Sequence, residues 1–394
     1  MSPEARRLRL AARTGAIAPF EVMEIQSLAR GLEAAGRDVI HLEIGEPDFR
    51  TPAPVVEAAR RALAERPMNY TSALGIAPLR EAIARHYADR HGLAVDPARV
   101  VVTAGSSAAL HLAFAAFLDP GEEVLLADPG YPCNRHFVSV LGGVPKAVPV
   151  GPEERYQLSA AAARAAWSER TRIAMVASPS NPTGTLVPPT EMSALAALAR
   201  EKGGVLLADE IYQGLVYGQD ARTAAHEGED VLVINSFSKY FQMTGWRLGW
   251  LLAPAAAVRE VEKLAQNLYI SPAAVSQHAA LAAFLPETTA ILEARRQELA
   301  ARRDFLVPAL EALGLRVPVK PEGAFYVYAD CSAVTDDSFG FARRLLEQAG
   351  VAVTPGKDFG FHRPERHLRI AYTQPVARLE EAVGRIAALL RAGA

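Results

Sequence analysis

Hydrophobic and polar positions fall into a repeating pattern from about residue 99 onward. Short β-branched apolar runs alternate with longer stretches spaced as helices. The runs Arg99–Thr103, Glu123–Ala127, Ile173–Ala177, Val205–Ala208 and Val231–Asn235 predict five strands, and the spacing from Ala108 to Leu118 predicts a helix. Upstream, Val39–Ile44 predicts a strand, Gly45-Glu46-Pro47-Asp48 a turn, and Pro54–Glu65 and Ala77–His91 two helices. Strands alternating with helices imply a mostly parallel sheet covered on both faces. Beyond residue 290 the pattern changes. Helical spacing over Glu293–Leu313, a strand over Ala324–Tyr328 and helices over Phe339–Ala349 and Ala377–Arg391 predict a smaller α+β unit.

The expected fold is therefore α/β, with a large domain built on a mostly parallel sheet of the seven-stranded type. A smaller α+β domain comes from the two chain ends. The expected division is 1–48 for an N-terminal arm and part of the small domain, 49–288 for the large domain and 289–394 for the rest of the small one.

Composition narrows the function classes. Half of the 394 residues are hydrophobic, enough for a sizeable core, and the net charge of -2 argues against a nucleic-acid or anionic-membrane surface. Cys133 and Cys331 give no disulfide framework and fit a reducing, cytoplasmic compartment. Ala108–Leu118, interrupted by His111, is too short for a membrane span. Arg6, Arg7, Arg9 and Arg13 lack the apolar core of a secretory signal; a solvated helix is the preferred reading over an arginine-rich transit peptide. The nine histidines form no metal-binding spacing, so no metal is expected.

Each predicted strand ends in a polar cluster: Gly105-Ser106-Ser107, Tyr131, Asn181, Asp209 with Tyr212, and Ser236-Phe237-Ser238-Lys239 followed by Arg247. Singly these have bland explanations, a capped turn, a half-buried aromatic or a solvated lysine. Five successive strand ends converge on the edge where open α/β sheets bind ligands. An amine flanked by hydroxyls and a guanidinium suits a phosphorylated aldehyde, and pyridoxal 5'-phosphate fits that description. Lys239 would form the Schiff base and then act as general base, and Asp209 would keep the pyridine nitrogen protonated. Tyr212 and Asn181 would donate to the phenolate oxygen, and Tyr131 would cover the ring. Gly105, Ser106, Ser107, Ser236, Ser238 and Arg247 would hold the phosphate at a helix start. Arg369, inside the apolar run Leu368–Ala371, reads either as a salt-bridged structural arginine or as a clamp for an amino-acid carboxylate.

Ser-Asn-Pro-Thr-Gly at 180–184, Asp209-x-x-Tyr212, Ser236-x-Ser238-Lys239 with Arg247, and Arg369 together resemble the class I/II aminotransferases of the fold-type I pyridoxal-phosphate group. The similarity runs from Ala18-Pro19-Phe20 nearly to the C-terminus. It implies amino transfer from an L-amino acid to a 2-oxo acid, with Lys239 as the aldimine lysine and Arg369 with Gly45 on the substrate carboxylate. It also implies a homodimer in which Tyr70 reaches the partner's phosphate. A C–S β-lyase of the same fold shares these motifs; a cofactor-binding transcriptional regulator would need a basic head, for which residues 1–40 are too short. Some bacterial aspartate-specific relatives carry a lysine where this chain has Ser107. That absence, with Ile17, Phe20 and Tyr326 as expected walls, implies neutral apolar or aromatic donors.

Overall fold

The apolar run ahead of Lys239 lies inside the larger of three sheets in the computed structural model, which describes residues 9–219 and 221–392. In chain order the strands are β1 (Ile40–His41), β2 (Val100–Thr103), β3 (Glu123–Asp128), β4 (Val144–Pro149), β5 (Thr171–Ala177) and β6 (Val205–Asp209). They continue with β7 (Leu232–Ser236), β8 (Gly249–Leu252), β9 (Tyr326–Asp330), β10 (Val351–Ala352), β11 (Thr354–Pro355) and β12 (His367–Ala371).

The seven-stranded sheet has the order β2-β8-β7-β6-β5-β3-β4. Only β8 opposes its neighbours; the remaining pairings are parallel. The central strands are mostly apolar because both faces are covered. Val100, Val102 and Val233 belong to one buried cluster, and Val101, Leu232 and Ile234 to another. Each such side chain contributes roughly 1.5–3 kcal/mol on burial, so the sheet's central strands anchor the fold. All five strands expected from the pattern are present. The two missed ones have physical reasons: β8 is four residues long and opens on glycine, and β4 is an edge strand carrying Pro145 and Pro149.

The second part of the chain forms the antiparallel sheet β11-β12-β9, with Arg369 of β12 opposite both Thr354 and Tyr328. The expected strand Val39–Ile44 shrinks to β1, which pairs in parallel with β10 through Ile40 and Val351. Past β1 the chain runs alongside β12, where the Ala371 amide donates to Leu42 O. The two chain ends thus come together beside the carboxyl edge of the large sheet. The expected strand at 324–328 begins two residues later, since Ala324 adopts a left-handed φ of 58°. The helix from Glu293 starts earlier and spans Pro286–Glu311. At the N-terminus, Ala12–Ala16 is a 3-10 turn, and the expected helix over 1–14 otherwise falls partly on residues 1–8, outside the described residues. A helix not expected from the sequence, Glu21–Ala34, covers the edge of the site. Among the described residues no helix is long and apolar enough to cross a membrane, and both cysteines are free thiols.

Candidate active site

The strand directions explain why one lysine and one arginine eight residues apart reach the same place. β7 ends at Ser236, leading into Lys239 at the carboxyl edge of the sheet. Because β8 runs the other way, its amino end begins at that same edge, just after Arg247. Gly249 sits between Thr103 and Ser236 in register, and a Cβ there would lie 2.8–2.9 Å from Asn235 O, Gly105 C and Ser106 N. Gly105, at φ 81°, is equally restricted, since a Cβ would meet Arg247 Nη2 at 2.6 Å. These two glycines let the guanidinium lie against the start of the helix Ser106–Phe117. That helix has no side-chain cap, leaving its first amides as donors beside Ser106, Ser107, Ser238, Thr244 and Arg247. These groups together form a cradle that could hold an anion.

Next to it lies a cavity of about 570 Å³ lined by Lys239, Asp209, Tyr212, Tyr131, Asn181, Gly45 and Arg369. Lys239 Nζ donates to Gly45 O at 2.6 Å. Burial drags its pKa down to about 8; Glu46 opposes this, and Arg369 and Arg247 reinforce it. The lysine therefore has a neutral, nucleophilic fraction near physiological pH. Asp209, 5% exposed, ends β6 between Ala177 and Ile234 and accepts one hydrogen bond, 3.2 Å from the Ile211 amide. Burial pushes its carboxyl up to about 7, against the pull of that amide and of Lys239. A buried acid with one donor is an unfinished pair, and a cationic ring nitrogen would complete it. The Tyr212 phenol is held well above its usual pKa by burial and by Tyr326, so it remains a donor. Its Oη lies 2.9 Å from Tyr326 Oη.

Arg369 is 3% exposed and makes no salt bridge among the described residues. Nη1 donates to Asn181 Oδ1 at 3.1 Å, and Nη2 to Glu43 O and, at 3.2 Å, to Thr354 Oγ1. The Tyr326 and Phe359 rings lie 4.5 and 4.9 Å from its guanidinium carbon. Nε is buried without a partner. A buried, unneutralised guanidinium with a spare donor suits a carboxylate. The bond from Arg369 occupies the amide oxygen of Asn181 and leaves its NH₂ for the cavity.

Residues 37–386 match the profile of the family described as aminotransferase class I and II. The chain belongs to that family. It is 42% identical to the valine–pyruvate aminotransferase of Mycobacterium tuberculosis, over 97% of this chain and 98% of that one. It is 38% identical to the aspartate/prephenate aminotransferase of Thermus thermophilus, again over 97% and 98%. A crystal structure of an aminotransferase from Mycobacterium tuberculosis superposes with a TM-score of 0.95 at 42% identity, covering 98% of this chain and all of that one. The aspartate aminotransferase of Thermus thermophilus with maleate gives 0.92 at 38%, covering 97% of this chain and all of that one. Proteins of this family are generally dependent on pyridoxal phosphate, and the cradle, the unfinished Asp209 pair and the lysine fit that group.

Of the residues expected at the site of this aminotransferase, Gly105, Ser236 and Ile17 are not in the cavity lining, while Tyr70 is expected at a partner's cavity and not at this one. Ser236 is behind the cavity, its hydroxyl donating to Ser238 Oγ at 2.9 Å and accepting from the Ser238 amide at 3.0 Å. Tyr70 is 81% exposed and absent from the lining of its own chain's cavity, and Ile17 is absent as well. Phe20 and Tyr326 do form walls, joined by Val22 and Met23 from the unexpected helix. Gly45 has a second reason to be glycine, since a Cβ would lie 2.6 Å from Tyr326 Oη. The sequence marks Tyr326 as a wall, but not the contact of its hydroxyl with Tyr212. Among the described residues no group of three or more His, Cys, Asp or Glu is placed to hold a metal.

Proposed function

We propose that this aminotransferase binds pyridoxal phosphate through Lys239 and moves amino groups from neutral, apolar or aromatic L-amino acids to a 2-oxo acid. The observation that carries the reading is one cavity holding a low-pKa lysine, a buried unpaired acid and a buried arginine free of any carboxylate. Ser106, Ser107, Ser238 and Arg247 would hold the phosphate, with Gly105 and Ser236 shaping the two turns that carry them. Tyr131 would cover the ring, and Asn181 Nδ2 and Tyr212 Oη would donate to its phenolate oxygen. When bound, the group supplies an electron sink for the bond at the substrate's α-carbon. Asp209 would hold the proton on the ring nitrogen, and Arg369, with Gly45, would fix the substrate carboxylate. Lys239 Nζ would carry the proton to and from the α-carbon.

The donor class rests on the walls. Phe20, Val22, Met23, Leu110 and Ile44 offer apolar surface, and Ser107 offers no charge. Arg30 also lines the cavity, but it is exposed. A carboxylate paired there gains at most about 1 kcal/mol, too little to make aspartate the preferred donor. The relatives' names include both valine and aspartate, so a donor and acceptor panel is the direct test. Borohydride reduction followed by peptide mass mapping should place the cofactor adduct on Lys239; an adduct on another lysine overturns the assignment.

A homodimer, the cytoplasmic location supported by the two free thiols, and the division at residues 48 and 288 belong to the same proposal. The pairing of Ile40 with Val351 supports that division, because it joins the two ends. For the dimer, the supporting feature is an exposed apolar surface. Met68 and Tyr70 are exposed, as are Leu268 and Ile270, and the two segments are joined by the Thr71 amide donating to Ser271 Oγ at 3.3 Å.

A further inference from the structure

The helix Glu21–Ala34 begins without the polar residue that usually caps a helix. Phe20 occupies the capping position with extended backbone, φ -93° and ψ 105°, and offers no side-chain acceptor. It is instead turned to another use: Phe20 lines the cavity and meets Tyr131 edge to face, 6.4 Å between ring centres. The first helical amides find their acceptor far away in the sequence. Asp358, 2% exposed, accepts from the Glu21 amide at 2.9 Å through Oδ1 and from the Val22 amide at 3.0 Å through Oδ2.

We infer that Asp358 is a positioning residue for substrate side-chain selection, supplying from the other end of the chain the helix cap that frees position 20 to be an apolar wall. It rests on the proposed reaction for its kinetic consequence only.

Neighbouring contacts make 357–359 a clamp. Lys357 Nζ pairs with Glu21 at 2.9 Å, and the Phe359 ring packs on Arg369. Arg135 Nη2 donates to Asp358 O at 3.1 Å, tying the clamp to the helix Pro132–Val140 that follows Tyr131. The wall and the carboxylate-binding arginine are thus referred to the same three residues. The cap governs only the first turn. Further along, Ile25 and Ala29 are held by apolar packing against Val39, Leu346 and Ala352, so the helix persists when the cap is removed. A carboxylate at this end also complements the helix dipole. The turn that it fixes is the one bearing Val22 and Met23.

Hydrogen exchange on the cofactor-loaded protein, with donor kinetics beside it, tests this. In Asp358→Ala the amides of residues 21–24 should exchange about fivefold to thirtyfold faster, the fold-change of losing a helix cap, while those of 29–34 stay unchanged. kcat/KM for leucine or phenylalanine should fall through KM by a similar factor, and that for alanine should move less than about threefold. Asp358→Asn, which keeps one acceptor, should lie between. In Phe20→Asp/Asp358→Ala a local cap returns, so protection should recover and apolar preference should not. Unchanged exchange at 21–24 in both single variants overturns the inference. So does loosened exchange with an unaltered ratio of leucine to alanine. A wild type that uses no amino donor counts against the proposed reaction, and the exchange result then decides the cap by itself.

Discussion

Asn181 and Arg369 share a hydrogen bond of 3.1 Å, so the group proposed to face the cofactor and the group proposed to face the substrate carboxylate are one unit. Arg369→Lys removes both the planar fork and that bond. We expect KM for amino acids to rise by about tenfold or more, with the cofactor absorbance retained. Asn181→Ala should shift both the absorbance and KM. A double-mutant cycle in which the two effects simply add would show that the bond carries no coupling.

Lys239→Ala should lower turnover by at least about a thousandfold, because on the proposed reading one amine would both anchor the cofactor and move the proton. The protein should still bind the cofactor through the cradle, measurable by absorbance after dialysis. Ordinary turnover in this variant would remove Lys239 from its role.

Asp209 gives a pH prediction for the cofactor-free protein. Folded, its carboxyl keeps its proton up to about 7, whereas unfolded it releases it near the ordinary 3.8. Between those values the folded state binds more protons, so this group's stabilising contribution is lost as pH rises. Glu210, pushed to about 7 by burial, acts in the same direction, and His86, lowered to about 3, acts in the opposite one. The difference between wild type and Asp209→Asn isolates the residue. Wild-type stability relative to the variant should fall between pH 5 and 6.5 by about 2 kcal/mol, read from denaturant midpoints. A flat difference would mean that water or a neighbour already relieves the buried acid.

Tyr70 tests the shared site. If it serves the partner's phosphate, mixing Tyr70→Phe and Lys239→Ala subunits yields hybrids with one site free of both lesions. Activity should rise above that of either parent after subunit exchange. No recovery despite demonstrated exchange would count against the shared arrangement.

Donor preference is decided by kcat/KM for aspartate, alanine, leucine, methionine and phenylalanine. We expect the apolar donors to exceed aspartate by about tenfold or more, since a second carboxylate would enter an apolar wall. An aspartate value tenfold above the others would reverse the assignment and direct attention to Arg30.

What the sequence made legible was the edge of the sheet. Thr103, Asp128, Ala177, Asp209 and Ser236 end buried parallel strands, and a fully buried strand announces itself as an apolar run. Periodicity does not reveal β8, whose four residues include glycine and tryptophan, so the reason Arg247 lies beside Gly105 is hidden in the sequence. Glu21–Ala34 is hard to read despite Val22, Ile25 and Ala29 at helical spacing, since its start signal is Asp358, 337 residues past Glu21. Local rules have no access to a cap that distant. Ser236 and Ser238 look equivalent in sequence; only the turn geometry turns one into support for the other.

The reversal of β8 has a further consequence. Lys239 and Arg247 lie on a single connection between two hydrogen-bonded strands, pinned at one end by Ser236 opposite Gly249. The backbone separation of the two residues is thereby limited by the number of residues in that connection. On the proposed reading it would work as a ruler for a molecule with its reactive carbon at one end and its anion at the other. A ligand longer or shorter than this gauge would meet one of the two groups and miss its mate.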